Sequence, residues 1–434
     1  MLGAQDNERL TRVGTGTPMG ELLRRYWYPI GGSEELKHHG TKRVKILGES
    51  LVLYRDRKGR LGLIDETCPH RRVSLFFGIP EEDGLRCPYH GWKFSAEGRC
   101  LEQPAEPPGS TFKDRIRVKA YPVEELAGLI WAYLGPNPAP LLPRWDLLVQ
   151  PGVLREAGWT MIPCNWLQCM ENSLDPVHVE WLHGHFDQYV VERLGRPDLE
   201  RKIFHHERIG FSVFEHGIIK RRVVEGGSEE DEDWRAGHPV LFPHILRSGL
   251  AGSEGALQCR VPMDDTHTYQ VVLKAWSPGE GVEVPAQESI PFFQVPLPTL
   301  RDDGEPPWEF LDNNSGQDMA MWYTQGPIAD RTLEKLGESD VGIIMYRKML
   351  EEQLEKIAGG EDPMNVFRDP AKNVLIELPH EEKSRRGGLR RVQTDVRRRG
   401  NVSKYSKLSV QIDALFEKAA KLEADEESIG GTRS

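Results

Sequence analysis

Two groups of residues in this 434-residue chain have the types and spacing of metal chemistry. The first is Cys68-x-His70 and, sixteen residues on, Cys87-x-x-His90. Each pair puts one thiolate and one imidazole in a short loop, and two such loops can converge on one inorganic site. A single zinc would take all four donors in a tetrahedron. A two-iron, two-sulfur cluster would divide them, with the thiolates on one iron and the imidazoles on the other. Structural zinc usually opens on a Cys-x₂₋₄-Cys knuckle, so the mixed pairs favour the cluster. Pro69, Pro88 and the Gly91-Trp92 pair suit tight loops whose amides face the sulfur.

The second group is CMENSLDPVHVEWLHGH at 169–185. Asp175 and His178 are three apart and neighbours on a helix. His178 and His183 are five apart, about 140° round an ideal helix. Only a distorted turn aims both at one point, and Pro176 and Gly184 give reasons for distortion. Two histidines and a carboxylate with open positions form the facial set of non-haem Fe(II) oxygenases. Asp302, Asp303, Asp312, Asp318, Asp330 and Asp340 are all available for the third place, and spacing does not choose among them. Asn165 and Asn172 fit either a pocket lining or helix capping and surface positions. Cys100, Cys164, Cys169 and Cys259 lack partners of this kind and read as small packed residues.

The motif C-P-H…C-P-Y-H-G-W resembles the Rieske signature, and E-N-x-x-D-x-x-H-x₄-H resembles that of the Rieske non-haem iron oxygenases. The resemblance, to the terminal oxygenase large subunit, spans nearly the whole chain. It implies a [2Fe–2S] cluster on Cys68, His70, Cys87 and His90, and a mononuclear Fe(II) on His178 and His183. GQDMAMWYTQGPIADR resembles the phthalate-dioxygenase-like members, which implies Asp318 as the third ligand and leaves Asp330 and Asp340 to brace helices. Asp175, and beside it Asn172, take the catalytic positions; Asp175 would join a neighbouring subunit's cluster histidine to an iron ligand in a head-to-tail homotrimer. NAD(P)H would supply electrons through a separate flavin or ferredoxin-type reductase. O2 and an aromatic acid are the implied substrates, with O-demethylation of a vanillate- or 5,5′-dehydrodivanillate-like compound favoured over phthalate or phenoxybenzoate dioxygenation. Arg247, His244 and Asn165 are the candidate substrate contacts.

The surrounding elements must position these groups, and two domains are expected from the length. Residues 43–65 alternate apolar and polar side chains, with GES and DRKGR as turns, and 128–135 is a further strand. Before them, Thr17 and Pro18 open a short helix. The reading is α+β: an antiparallel β unit within 1–145 (core 43–135), then a helix-grip catalytic domain, 146–380, with an antiparallel sheet and helices. Residues 340–360 have a helical period, and 381–434 form a charged tail containing RRGGLRRVQTDVRRRG and an amphipathic segment. GTGTPMG at 14–20 has the wrong spacing for a dinucleotide loop. A net charge of −11 argues against nucleic acid, and the absence of a long apolar run argues against a membrane span. Sparse cysteine and no apolar leader suggest the cytoplasm. An electron-transfer protein without oxygenase activity and a zinc-stabilised binding module are the competing classes.

Overall fold

The computed structural model describes residues 2–199, 203–250, 254–279, 281–380 and 404–430. The alternating stretch folds as three antiparallel strands, Thr41–Ile46, Glu49–Arg55 and Leu61–Asp65, joined at the edge by Ala120–Tyr121. The first turn is tighter than the GES reading. Leu47 and Gly48 alone cross it, both at positive φ (49° and 79°), the two-residue turn whose twist matches its strands. A second sheet of four short strands, Ile79–Pro80, Leu85–Arg86, Lys93–Phe94 and Cys100–Glu102, shares a core with the first through Val52, Ile64, Leu75, Leu85 and Phe94. Residues 128–135 contain the expected strand, Leu129–Tyr133, paired with Trp27–Gly32 and Val123–Leu126.

Downstream, eight strands form one sheet in the order His206–Phe214, Gly217–Val224, His238–Leu241, Ile245–Leu250, Glu254–Asp264, His267–Trp276, Leu154–Ile162 and Phe292–Gln294. All pairs are antiparallel except the last. Strand alternation divides its side chains between two faces. One face packs the helices Trp166–Ser173 and Asn314–Thr324 through Cys169, Val272, Met319 and Trp322. Leu257, Val271 and Leu273 on the other face join the main core with Trp27 and Trp131. The period at 340–360 is a helix, Val341–Ala358, burying Tyr346, Met349, Leu350 and Leu354.

Thr17 caps the helix Pro18–Leu23, accepting from the Gly20 amide at 3.1 Å. The N-terminal segment reaches the second half of the chain: Asn7 Nδ2 donates to the Ala329 carbonyl at 3.1 Å. The two halves also meet where the Leu47 and Gly48 amides donate to the carbonyls of Pro262 and Met263, each at 2.8 Å. The amphipathic tail segment is the helix Ser409–Gly430, whose Ile412, Leu415 and Phe416 cover Leu154 and Trp276. The run RRGGLRRVQTDVRRRG lies outside the described residues. No helix among the described residues is long and apolar enough to cross a membrane.

Candidate metal centres

The two loops of the β unit are built alike. The Cys68 carbonyl accepts from the Arg72 amide, and the Cys68 amide donates to Val73. The Cys87 carbonyl accepts from Gly91, and its amide donates to Trp92. The fourth residue after each cysteine has positive φ, 65° at Arg72 and 74° at Gly91. For Arg72 that is a strained position, of the kind found where a loop is shaped for a ligand. Cys68 and Cys87 are buried (1% and 2% exposed) and within hydrogen-bond reach of each other. Burial pushes the Cys68 thiol up to about 11 when no metal balances the thiolate. His70 and His90 lie toward the surface, ring centroids 4.5 Å apart, and His70 stacks on Trp92 at 4.5 Å.

Thus like donors pair with like. A single tetrahedral ion would need all four donors mixed round one point. The described groups whose donors all lie within 4.8 Å of one another are His178/His183/Asp318 and Glu180/His185/His205, without this tetrad. Two thiolates inside and two imidazoles outside fit a divided, two-iron cluster with its histidine end toward solvent.

The five-residue spacing of the second group is resolved by the backbone. The α-helix Val177–Glu180 runs into a π-helix, Trp181–Phe186. A π turn holds more residues than an α turn, so it brings His183 round to the side of His178. The rings meet edge-on with centroids 5.2 Å apart. Asp318 arrives from the helix Asn314–Thr324, capped by Asn313, whose side chain accepts from Gly316. Gly316 passes so close to the Phe310 carbonyl that a Cβ would come within 1.8 Å of it, so this helix entry requires glycine. Asp318 Oδ1 lies 3.2 Å from His183 Nε2 and 3.8 Å from His178 Nε2.

The supporting contacts set the tautomers. His183 Nδ1 is 2.7 Å from Gln317 Oε1, an acceptor whose amide donates to Asp187 and to the Leu311 carbonyl. Gln317 thus accepts the hydrogen bond of an Nδ1–H and leaves Nε2 its lone pair. Asp175 Oδ1 accepts from the Val177 and His178 amides, and Oδ2 faces His178 Nδ1 at 3.5 Å. Burial lowers the His178 pKa and keeps the ring neutral, the form that ligates. Burial works to raise the Asp318 pKa, but the contact with His183 and the fields of His178 and buried Arg260 more than offset it, so the carboxyl stands below its usual range. Two imidazoles and a carboxylate therefore converge on one point, a set that fits a divalent iron.

Other expected contacts go elsewhere. Asn165 caps the helix Trp166–Ser173, accepting from the Leu167 amide and donating to the Thr11 and Asp265 carbonyls, so capping is its role. Arg247 pairs across the sheet with Leu257, on the face opposite the helices, 3.6 Å from Asp146. The His244 ring lies tilted against Tyr28, centroids 4.4 Å apart, in a small cavity with Tyr26 and Trp27, and burial pushes its pKa down to about 3, so it is neutral there. None of the three is brought to the triad. Asn172 is half-buried one turn before Asp175, whose amide donates to its carbonyl. Asp330 and Asp340 close their own turns, onto Thr332 and the Gly337 amide, and Asp312 meets Lys404.

Sequence reasoning gave no role to Gln317, to Glu171 beyond its place in the motif, or to Lys220 and Arg260. Gln317 directly precedes the acid, but only the fold shows it facing His183. Glu171 is buried between Arg331 and Arg347, its oxygens 2.7 Å from each guanidinium. Lys220 and Arg260 are buried cations on the helix-facing side of the sheet, each within the field of Asp318.

Residues 26–122 match the model described as Rieske [2Fe-2S] domain, and 311–375 match LigXa C-terminal domain like. The chain is 42% identical over 382 residues (87% of each chain) to the 5,5′-dehydrodivanillate O-demethylase oxygenase subunit of Sphingobium sp.. It is 32% identical to the phthalate 4,5-dioxygenase oxygenase subunit of Pseudomonas putida, over 84% of this chain and 89% of that one. NdmA of Pseudomonas putida CBB5 superposes with a TM-score of 0.57 at 20% identity, over 87% of this chain and 99% of that one.

Proposed function

This chain belongs to the Rieske non-haem iron oxygenases, as an oxygenase subunit, and on that premise we propose that it demethylates a methoxylated aromatic acid. Its cofactors are a Rieske [2Fe–2S] cluster and a mononuclear iron, and NAD(P)H electrons reach it through a separate reductase. The convergence of His178, His183 and Asp318 on one point carries the oxygenase reading, against an electron-transfer protein that has no use for it. The greater identity to an O-demethylase subunit than to ring-dioxygenase subunits supports demethylation.

In this reading Cys68, Cys87, His70 and His90 hold the cluster in the β unit within 1–145, and the two histidines with Asp318 hold the iron in 146–380. When bound, the cluster supplies single electrons and the iron activates dioxygen. Gln317 keeps His183 in its ligating tautomer, and Asp175, with Asn172 beside it, steadies His178. The chain works as a cytoplasmic homotrimer in which the histidine end of one protomer's cluster meets Asp175 of the next. Tyr89 near the cluster and Trp181 near Asp175 are exposed apolar groups (50% and 60%) suited to that contact.

With 5,5′-dehydrodivanillate, O2 and a reductase, each turnover consumes one O2, two electrons and two protons, and yields a phenol, formaldehyde and water. Formaldehyde released in step with oxygen uptake is the expected result. A ring cis-diol without formaldehyde would replace this reading by phthalate- or phenoxybenzoate-type dioxygenation. Asp175→Asn removes the charge facing His178 Nδ1, and turnover is expected to fall roughly 10- to 100-fold with iron content unchanged. Wild-type turnover in that variant would reduce Asp175 to a helix cap.

A further inference from the structure

The helix-facing side of the eight-stranded sheet holds a buried cation with no counter-ion in contact. Lys220, on the strand Gly217–Val224, is 8% exposed. Its ammonium makes no hydrogen bond or ion pair with any described residue. Its neighbour along the same face, Arg222, is satisfied by Asp233 at 3.2 Å. Strand register places Lys220 on the face of Arg260. Ile218, two residues from Lys220, pairs with Val240, Val240 with Leu246, and Leu246 with Gln258, two residues from Arg260. No bulge interrupts these pairings, so the two cations share one side.

Arg260 is engaged and Lys220 is not. The Arg260 guanidinium donates to the Gln258 carbonyl at 2.8 Å and to Gln258 Oε1 at 3.1 Å, and lies 5.5 Å from the Trp322 ring centroid. Asp175 and Asp318 exert their field on Lys220 without contacting it, so the ammonium lies near the iron ligands. Burial pushes it down to about 8, as befits a charge left without a partner. A largely buried ammonium given no anion is costly to the fold, and a ligand that brings the anion removes the cost.

We propose that Lys220 anchors a carboxylate of the aromatic substrate beside the triad, with Arg260 held behind it as a fixed positive charge. This rests on the reading above that the site oxidises an aromatic acid. The ammonium suits one carboxylate oxygen as a point charge. It orients the ring from its acid end and leaves the oxidisable group toward the triad.

The test is anaerobic calorimetry on the holoenzyme with 5,5′-dehydrodivanillate, vanillate, phthalate and 3-chlorobenzoate, each paired with its methyl ester. Lys220→Met is expected to weaken every acid that binds the wild type by about 10- to 100-fold and to leave the esters unchanged. Lys220→Arg is expected to restore most of the acid affinity. The proposal is overturned if acids bind Lys220→Met as tightly as wild type, if esters weaken as much as acids, or if the wild type binds none of the acids. Should dehydrodivanillate bind through Lys220 but release no formaldehyde, the anchor stands and demethylation falls.

Discussion

Asp318→Ala is expected to yield a protein with two irons per chain in place of three, an intact Rieske spectrum, and substrate-coupled oxygen uptake down more than about 1,000-fold, some 4 kcal/mol of barrier. Asp318 is the only anion among the three converging donors. Buried Arg260 and Lys220 act on the same space. Without the carboxylate, a divalent cation would face two neutral imidazoles against two positive charges, and binding would be lost on charge alone as well as on coordination number. Metal analysis, visible absorption and an oxygen electrode report the three quantities separately. A variant that kept its third iron and its turnover would show that Asp318 is not a ligand.

Glu171→Ala should be as damaging to stability as the previous change is to turnover. Glu171 receives Arg331 in a forked contact and Arg347 on its other oxygen, and Arg331 is 1% exposed. Removing the acid strands a buried guanidinium, a loss of roughly 3–5 kcal/mol. Arg347 retains Glu334, which limits the damage on that side. The thermal midpoint of the purified holoenzyme is expected to drop by about 3–6 °C. The double variant Glu171→Met with Arg331→Met should recover part of it, because no charge is then left unpaired. An unchanged midpoint in the single variant would mean that water satisfies Arg331. The cluster connects the Glu171 helix, the 327–334 loop and the Val341–Ala358 helix, and thereby steadies the segment leading to His178.

How much was legible depended on how local each interaction was. Cys68/His70 and Cys87/His90 are each held within a loop of a few residues, so proline, glycine and spacing declared them. Asp175, His178 and His183 lie within nine positions of one another, and even their irregular spacing announced a distorted helix. Thr17 announced its cap. By contrast Asn165, read as a possible pocket residue, was spoken for by carbonyls of Thr11 and Asp265, distant in sequence.

The sequence by itself carried the α+β character and the cofactor types, and it marked out the two clusters of candidate ligands, because those rest on short-range spacing, turn preference and a motif resemblance. Spacing left six acids open and resemblance pointed to Asp318; only the tertiary structure brings Asp318 to the histidines, sets Gln317 against His183, and puts Lys220 on the helix-facing side of the sheet and Arg247 on the other. The reason is geometric. A strand residue's side is set by its parity relative to every strand paired beside it, and a one-residue change of register would exchange Lys220 for its neighbours. That register depends on contacts between segments tens of residues apart, which no local pattern contains.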